Sequence, residues 1–188
     1  MEIRHGELCI RNAAQDDCEQ LAAWWNDGKV MAHAGFPNGI GTTPQVTWEK
    51  IATDSDDTRR RLIIEFQGKP IGEMSYYNLG CQIAEIGIKI CEETYQEKGL
   101  GKKIRSMLIG ELFSRGYRKI VLDTNLKNTR AQHVYETLGF RKIRVNVDSW
   151  KNQVGELQSS VEYELVPDDF VKRFCPLRSM REASSNTR

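Results

Sequence analysis

No apolar run in this 188-residue chain approaches the roughly 20 residues that a membrane-spanning helix needs. The opening MEIRHGELCIRNA also lacks the apolar core of a secretory leader. Metal-ligand spacing is missing too. The three histidines stand far apart at 5, 33 and 133, and no C-x-x-C pair occurs, so no metal is expected. Five cysteines (9, 18, 81, 91 and 175) are odd in number and scattered. That argues against a disulfide frame and for reduced thiols in a cytoplasmic protein. Excess charge is absent: 27 Lys and Arg against 26 Asp and Glu leave a net of +1. Neither a nucleic acid nor a membrane surface is an expected partner. There is no internal repeat, no G-x-x-x-x-G-K-[ST] and no G-x-G-x-x-G, which removes the common nucleotide cradles.

What is present reads as one domain with a sizeable core over residues 1–166. A tail follows over 167–188, where RSMREASSNTR has a poorly ordering composition. LCIRNA reads as a strand, and AAQDDCEQLAAWWN places Ala14, Cys18, Leu21, Ala22 and Trp25 at helical spacing. Residues 26–44 hold four glycines and two prolines and read as a loop with room for a short helix. QVTWEKIAT is a short helix, and DSDDTRRR a charged, solvated connection. RLIIEFQ and KPIGEMSYYN form a hairpin, AEIGIKIC a third strand beside it. After YQEKGLGKKIRSMLIGELF come RKIVLDTN (strand), TRAQHVYETLGF (helix) and two strands, RKIRVNVDSW and SSVEYELV. The order β-α-α-β-β-β-α-β-α-β-β predicts an α+β fold: a mixed, mostly antiparallel central sheet flanked by helices.

The glycines of residues 95–113 pose the functional question, because glycine is a poor helix former placed where a helix begins. Leu100, Ile104, Met107, Leu108 and Leu112 make the apolar stripe of that helix. A simple turn would explain Gly99 and Gly101; so would an anion site, since a helix N-terminus has free amides and glycine lets them close on a ligand. Lys98, Lys102, Lys103 and Arg105 add positive charge. Gln96-x-x-Gly99-x-Gly101 between a strand and a helix, followed by Asn128, Ala131, Tyr135, Gly139 and Phe140, resembles the GNAT superfamily of acetyl-CoA-dependent N-acetyltransferases. The resemblance spans residues 8 to 165 in matching element order.

It implies an N-acetyltransferase acting on a primary amine, with acetyl-CoA as cosubstrate. Gln96, Glu97, Lys98, Gly99, Leu100, Gly101 and Lys102 would cradle the pyrophosphate. Ile88, Lys89 and Ile90 would pair with the pantetheine arm as an added strand. Asn128 and Ala131 would contact the cofactor, Asn128 otherwise serving as a helix N-cap. Arg130 would reach the 3′-phosphate or remain a solvated arginine. Tyr135 would protonate the departing thiolate, the alternative being a core aromatic. Glu85 stands fourteen positions before Gly99, where some protein-acetylating members carry a catalytic glutamate. It is a candidate base, a substrate anchor or an ordinary face residue, and Glu73 is its rival. Trp25, Phe36, Glu73 and Tyr76 are candidates for the acceptor pocket; Trp24 and Trp25 otherwise read as a packed helix face of which one could wall that pocket, and His133 as surface or core. The acceptor expected is a small polyamine- or aminoglycoside-like amine, the alternative a ribosomal-protein N-terminus. A non-catalytic acyl-CoA-binding module is the second class of reading, and a homodimer stays open.

Overall fold

The structure is a computed structural model, and it describes residues 1–171; the RSMREASSNTR segment lies outside them. Eight strands form one sheet in the order β1-β2-β3-β4-β5-β6-β8-β7. They are β1 (Glu2–His5), β2 (Leu8–Asn12), β3 (Arg59–Phe66), β4 (Lys69–Asn78), β5 (Ile83–Ile90), β6 (Lys119–Asn125), β7 (Arg141–Lys151) and β8 (Leu157–Leu165). All neighbours are antiparallel except β5 and β6. The expected α+β fold is thus the one found.

Helices α4 (Leu100–Ser114) and α5 (Thr129–Thr137) cover one face. The α4 stripe read from the sequence is the buried one: Ile104, Leu108 and Leu112 are fully enclosed, each such side chain worth about 1.5–3 kcal/mol on burial. They pack on Ile10, Leu62, Ile64, Met74, Ala84 and Ile86. The other face is covered over part of its width by α1 (Cys18–Asn26), α2 (Gly28–Met31) and α3 (Pro44–Ile51). There Leu21, Trp24, Trp25, Met31 and Ile51 gather around Ile63 and Cys91. Past the last strand, residues 167–171 stay on the domain: the Phe170 and Phe113 rings meet edge-on at 5.7 Å.

Three elements differ from the sequence reading. β1 adds an edge strand to β2 through a turn at Gly6 and Glu7; its four residues bury only Ile3, too little for a periodic signal. The arginines of DSDDTRRR are not in a solvated connection. They begin β3, because each has a carboxylate to hold it: Arg59 on Asp54, Arg60 on Asp56 and Arg61 on Glu73. The β3–β4 turn is Gln67–Gly68, both at positive φ (53° and 75°), so Gln67 leaves the strand read as RLIIEFQ. That twist matches tight hairpins.

Gly72 sets how closely β4 approaches β5. A methyl group there would fall 2.2 Å from the carbonyl oxygen of Lys89 and 2.9 Å from the Ile90 Cα. Gly72→Ala should therefore destabilise the domain by about 2–3 kcal/mol, the upper part of the cost of overpacking. Urea unfolding checks this: the midpoint falls while the slope is retained, and an unchanged midpoint would mean the strands can separate freely.

Candidate active site

β5 and β6 pair only at Ile83–Lys119, Ala84–Ile120 and Glu85–Val121. Beyond these rungs β5 runs on to Ile90 and β6 to Asn125, so the parallel strands part and leave a wedge in the sheet. On its other edge β5 stays paired with β4 down to Gly72–Ile90. Main-chain groups in an antiparallel ladder alternate between edges, and the Cys91 N–H bonds the Ile71 carbonyl at 2.9 Å. The main chain of Ile86, Ile88 and Ile90 therefore turns toward the wedge. Gln96 Nε2 donates to the Ile90 carbonyl at 3.0 Å, tying the glycine loop to the end of β5.

On the α4 side of the wedge the loop enters the helix through Gly99, at φ 73°. The space where a Gly99 side chain would stand is open, and a Gly101 side chain would meet Arg105 Nη1 at 2.8 Å. Arg105 lies with its guanidinium carbon 5.1 Å from the Tyr135 ring centre. Its Nε is buried with no hydrogen-bond partner among the described residues. A buried guanidinium donor left without an acceptor costs free energy, and an anion at the cradle is the kind of group that satisfies it. Tyr135 is buried against Phe140 and Tyr163, each ring 5.7 Å away, and its hydroxyl bonds to none of the described residues. Asn128 is the α5 N-cap, accepting from the Ala131 N–H at 3.1 Å. Arg130 is paired at 3.0 Å with Glu97, both exposed, which ties the loop to the start of α5.

On the opposite face, strand register lays out a grid of three rows across β3, β4 and β5. The rows are Arg59–Tyr77–Glu85, Arg61–Ser75–Gly87 and Ile63–Glu73–Lys89. The β3 and β4 members Arg59, Arg61, Glu73, Ser75 and Tyr77, with Lys89 of β5, bound a cleft of 260 Å³ that Trp25 of α1, Met31 of α2, Ile40 and Lys50 of α3 close; Glu85 and Gly87 lie on the same sheet face beside the cleft. Glu73 lies at its base, 2% exposed, taking Arg61 Nη1 at 2.7 Å and Lys89 Nζ at 2.9 Å. Trp25 Nε1 donates to it at 2.9 Å. Burial alone would raise this carboxyl's pKa, but the two cations and their hydrogen bonds outweigh it and hold Glu73 below the ordinary carboxylate value. Glu85 has the reverse balance. Partial burial and then the negative charge of Asp123, across the wedge, raise its pKa.

Some expected neighbours are not brought together. Tyr76 has the wrong parity for the cleft: it points to the α4 side, 1% exposed, its ring 6.3 Å from Tyr117. Tyr77 occupies the cleft position instead. Phe36 is exposed and is not among the residues bounding the cleft. The Lys89 side chain serves Glu73 rather than the wedge. Ser75, Tyr77, Gly87, Lys50 and Arg59 were missed; the strand register of KPIGEMSYYN against AEIGIKIC was the signal that could have found the first three.

The model of the acetyltransferase (GNAT) domain matches residues 7–141, most of the chain. The protein belongs to the GNAT acetyltransferase family. One relative is the ribosomal protein bS18 alanine N-acetyltransferase of Haemophilus ducreyi, 29% identical over 70 residues. That match takes in 37% of this chain and 48% of the relative, so the chain spans about half of the relative's length. Among solved structures, the spermidine N-acetyltransferase of Vibrio cholerae, in complex with CoA and spermine, superposes with a TM-score of 0.76. It is 20% identical, with 88% of this chain and 98% of that one covered. A ribosomal L7/L12 α-N-protein acetyltransferase in complex with coenzyme A superposes at 0.80 with 17% identity, covering 90% and 99%. At these identities the likeness is one of GNAT fold.

Glu73→Gln should lower stability at neutral pH by about 2–4 kcal/mol. This is less than the ~3–5 of a fully buried broken pair, because Arg61 and Lys89 keep some exposure. Folding lowers the pKa of Glu73 from its ordinary 4.5, so its stabilisation is complete above that pH and is lost as pH falls toward the folded value. Denaturation of both proteins from pH 7 downward checks it: the gap between them is flat near neutrality and closes on acidification. A gap that widened in acid would place Glu73 outside the ion pairs.

Proposed function

We propose that this GNAT domain transfers an acetyl group from acetyl-CoA to the primary amine of a small molecule, using the wedge for the cofactor and the grid-floored cleft for the amine. The observation that carries the reading is Glu85. It stands where the last β5–β6 rung meets the wedge and in one row with Tyr77 of the cleft, so a proton acceptor lies between the two sites. A cleft of 260 Å³ is below the ~300–1,000 Å³ of drug-sized ligands, which supports a small acceptor over a protein terminus.

When bound, acetyl-CoA would supply a thioester whose carbonyl carbon is open to attack. The chain's own residues supply the rest. Amides at the start of α4, with Arg105 beneath them, would hold the pyrophosphate. The wedge-facing main chain of Ile88 and Ile90 would bind the pantetheine arm as an added strand. Glu85 takes the proton of the incoming ammonium, which frees the nitrogen lone pair. The nitrogen would then attack the carbonyl carbon, the C–S bond breaking as the C–N bond forms; Tyr135 would give its hydroxyl proton to the leaving sulfur and regain one from the nitrogen, which sheds its second proton on becoming an amide. A carboxylate whose pKa is raised is a better base at neutral pH than an ordinary one, and this is what separates Glu85 from Glu73. Asn128 and Ala131 keep α5, and with it Tyr135, in place beside the wedge; Arg130, tied to Glu97, closes the loop end of the cradle.

The direct test is thiol release from acetyl-CoA with a panel of amines, the products read by mass spectrometry; no acetylated amine from any member of the panel would refute the reading. For Glu85, kcat/KM should rise with pH through an apparent pKa above the ordinary carboxylate value of about 4.3. Glu85→Gln should remove that limb. A limb that survived in Glu85→Gln would assign the proton to another acceptor.

Tyr135→Phe should keep cofactor affinity, because the ring and its packing are retained. It should slow turnover on the order of 10²–10⁴-fold, the effect of losing a positioned acid. Single-turnover kinetics with saturating acetyl-CoA measure this step; an unchanged rate would return Tyr135 to a packing role.

A further inference from the structure

The cleft is not electrically neutral. By strand parity the side chains of Arg59 and Arg61 face it with Lys89, and Lys50 reaches it from α3. The carboxylates among its bounding residues are Asp54 and Glu73. Arg60 also bounds the cleft, but Asp56, outside it, neutralises it, so that pair adds no net charge to the other four cations. Asp54 answers Arg59 at 2.8 Å, but Glu73 has to answer both Arg61 and Lys89. Lys50 has no carboxylate within ion-pair distance among the described residues; its ammonium lies 5.9 Å from the Trp25 ring centre. Four cations against two carboxylates leave the walls with two positive charges more than they neutralise.

Like charges in a partly enclosed cleft repel a cation and draw an anion, because low-dielectric walls focus the field. One excess charge is Lys50, whose main-chain carbonyl accepts from Arg59; the other is shared by Arg61 and Lys89 around Glu73. Glu85, which has no cation partner among the described residues, lies just past the opposite side, beside Tyr77 in the same row. Arg59 and Glu85 are two strands apart, about 10 Å between backbones at ordinary strand spacing. Between them the floor is the Tyr77 ring, the Ser75 hydroxyl, which bonds to none of the described residues, and Gly87. A side chain at Gly87 would stand 3.1 Å from Ser75 Oγ, so the glycine keeps that part of the floor low.

We propose that the acceptor is a small primary amine bearing its own anionic group, a carboxylate or a phosphoryl group, which docks at the Lys50–Arg59 end while the amine turns to Glu85. The inference rests on reading the cleft as the acceptor site, and it departs from the polyamine-like acceptor expected from sequence. A polyamine would bring its second positive charge to the end of the cleft that already has an excess of them.

The test uses the full chain with acetyl-CoA and four amines of similar size. They are β-alanine (carboxylate), phosphoethanolamine (phosphoryl group), propylamine (uncharged tail) and diaminopropane (cationic tail). One or both acids should exceed propylamine in kcat/KM by about tenfold or more, with diaminopropane lowest. Whichever acid leads identifies the anionic group. The advantage should shrink as salt screens it. Lys50→Glu, on the exposed side of α3, should lower the acid-to-propylamine ratio by at least tenfold. The same four amines titrated into the CoA-bound protein and followed by calorimetry separate the two readings. Acids that bind preferentially and lose that preference in Lys50→Glu, with no turnover of any amine, would uphold the anion site and sink acetyl transfer. Propylamine or diaminopropane preferred in either assay, a short peptide preferred over both acids, a ratio unmoved in Lys50→Glu, or no binding at all would overturn the proposal.

Discussion

A single buried carboxylate organises the cleft side of this molecule. Glu73 sits in the middle of β4 and is reached by Arg61 from β3, Lys89 from β5 and the Trp25 indole from α1. Three strands and a helix are thus referenced to one charge. Desolvating a carboxylate is costly, and the cost is offset only while its partners hold their positions, so the floor of the cleft is tied together at its base. The same pairing keeps Glu73 ionised and occupied. It leaves Glu85, two residues past the row of Arg61 and free of such partners, as the group able to take a proton.

The two faces of β5 divide the chemistry. Ile86, Ile88 and Ile90 send their side chains into the α4 core and their main chains to the wedge, whereas Glu85, Gly87 and Lys89 lie on the cleft side of the sheet. A period of two does this without any loop having to reach across the sheet. The wedge exists because β5 and β6 are the parallel pair, joined through α4, and stay in register for three rungs only. The cradle glycines lie at the start of that same helix. One crossover therefore brings together the strand edge that can receive a linear cofactor and the amides that can receive its phosphates.

Periodicity made much of this visible in the sequence. The α4 stripe, the β3–β4 hairpin, β5 and α5 all follow from local spacing, and the Gln96–Gly101 motif marked the cradle. What stayed hidden depends on partners distant in the chain. Arg59, Arg60 and Arg61 look like a solvated run until Asp54, Asp56 and Glu73 are seen against them. Tyr76 and Tyr77 are equivalent as letters; only the register with Ile86 and Glu85 sends the first into the core and the second into the cleft. The opposite pKa directions of Glu73 and Glu85 come from neighbours on other elements, Arg61, Lys89 and Trp25 for the first and Asp123 for the second, which no spacing encodes.

The roof of the cleft has a less obvious owner. The segment after α2 passes over β6 and is caught by the β7–β8 hairpin. The Gln153 side chain donates to the Gly39 carbonyl and accepts from the Asn38 N–H, and its main-chain N–H bonds the Gly35 carbonyl. The Trp150 ring lies where a Gly35 side chain would be. Ile40, next along, bonds the Trp25 carbonyl through its N–H at 2.8 Å and bounds the cleft. The hairpin thus anchors the segment that leads into Ile40, although it has no hydrogen bond to Glu73 or Glu85 among the described residues. Substitutions at positions 150–153 can therefore shift the Ile40 side of the cleft while the Arg59–Tyr77–Glu85 row keeps its register, so the shape of the opening is set apart from the strands that floor it.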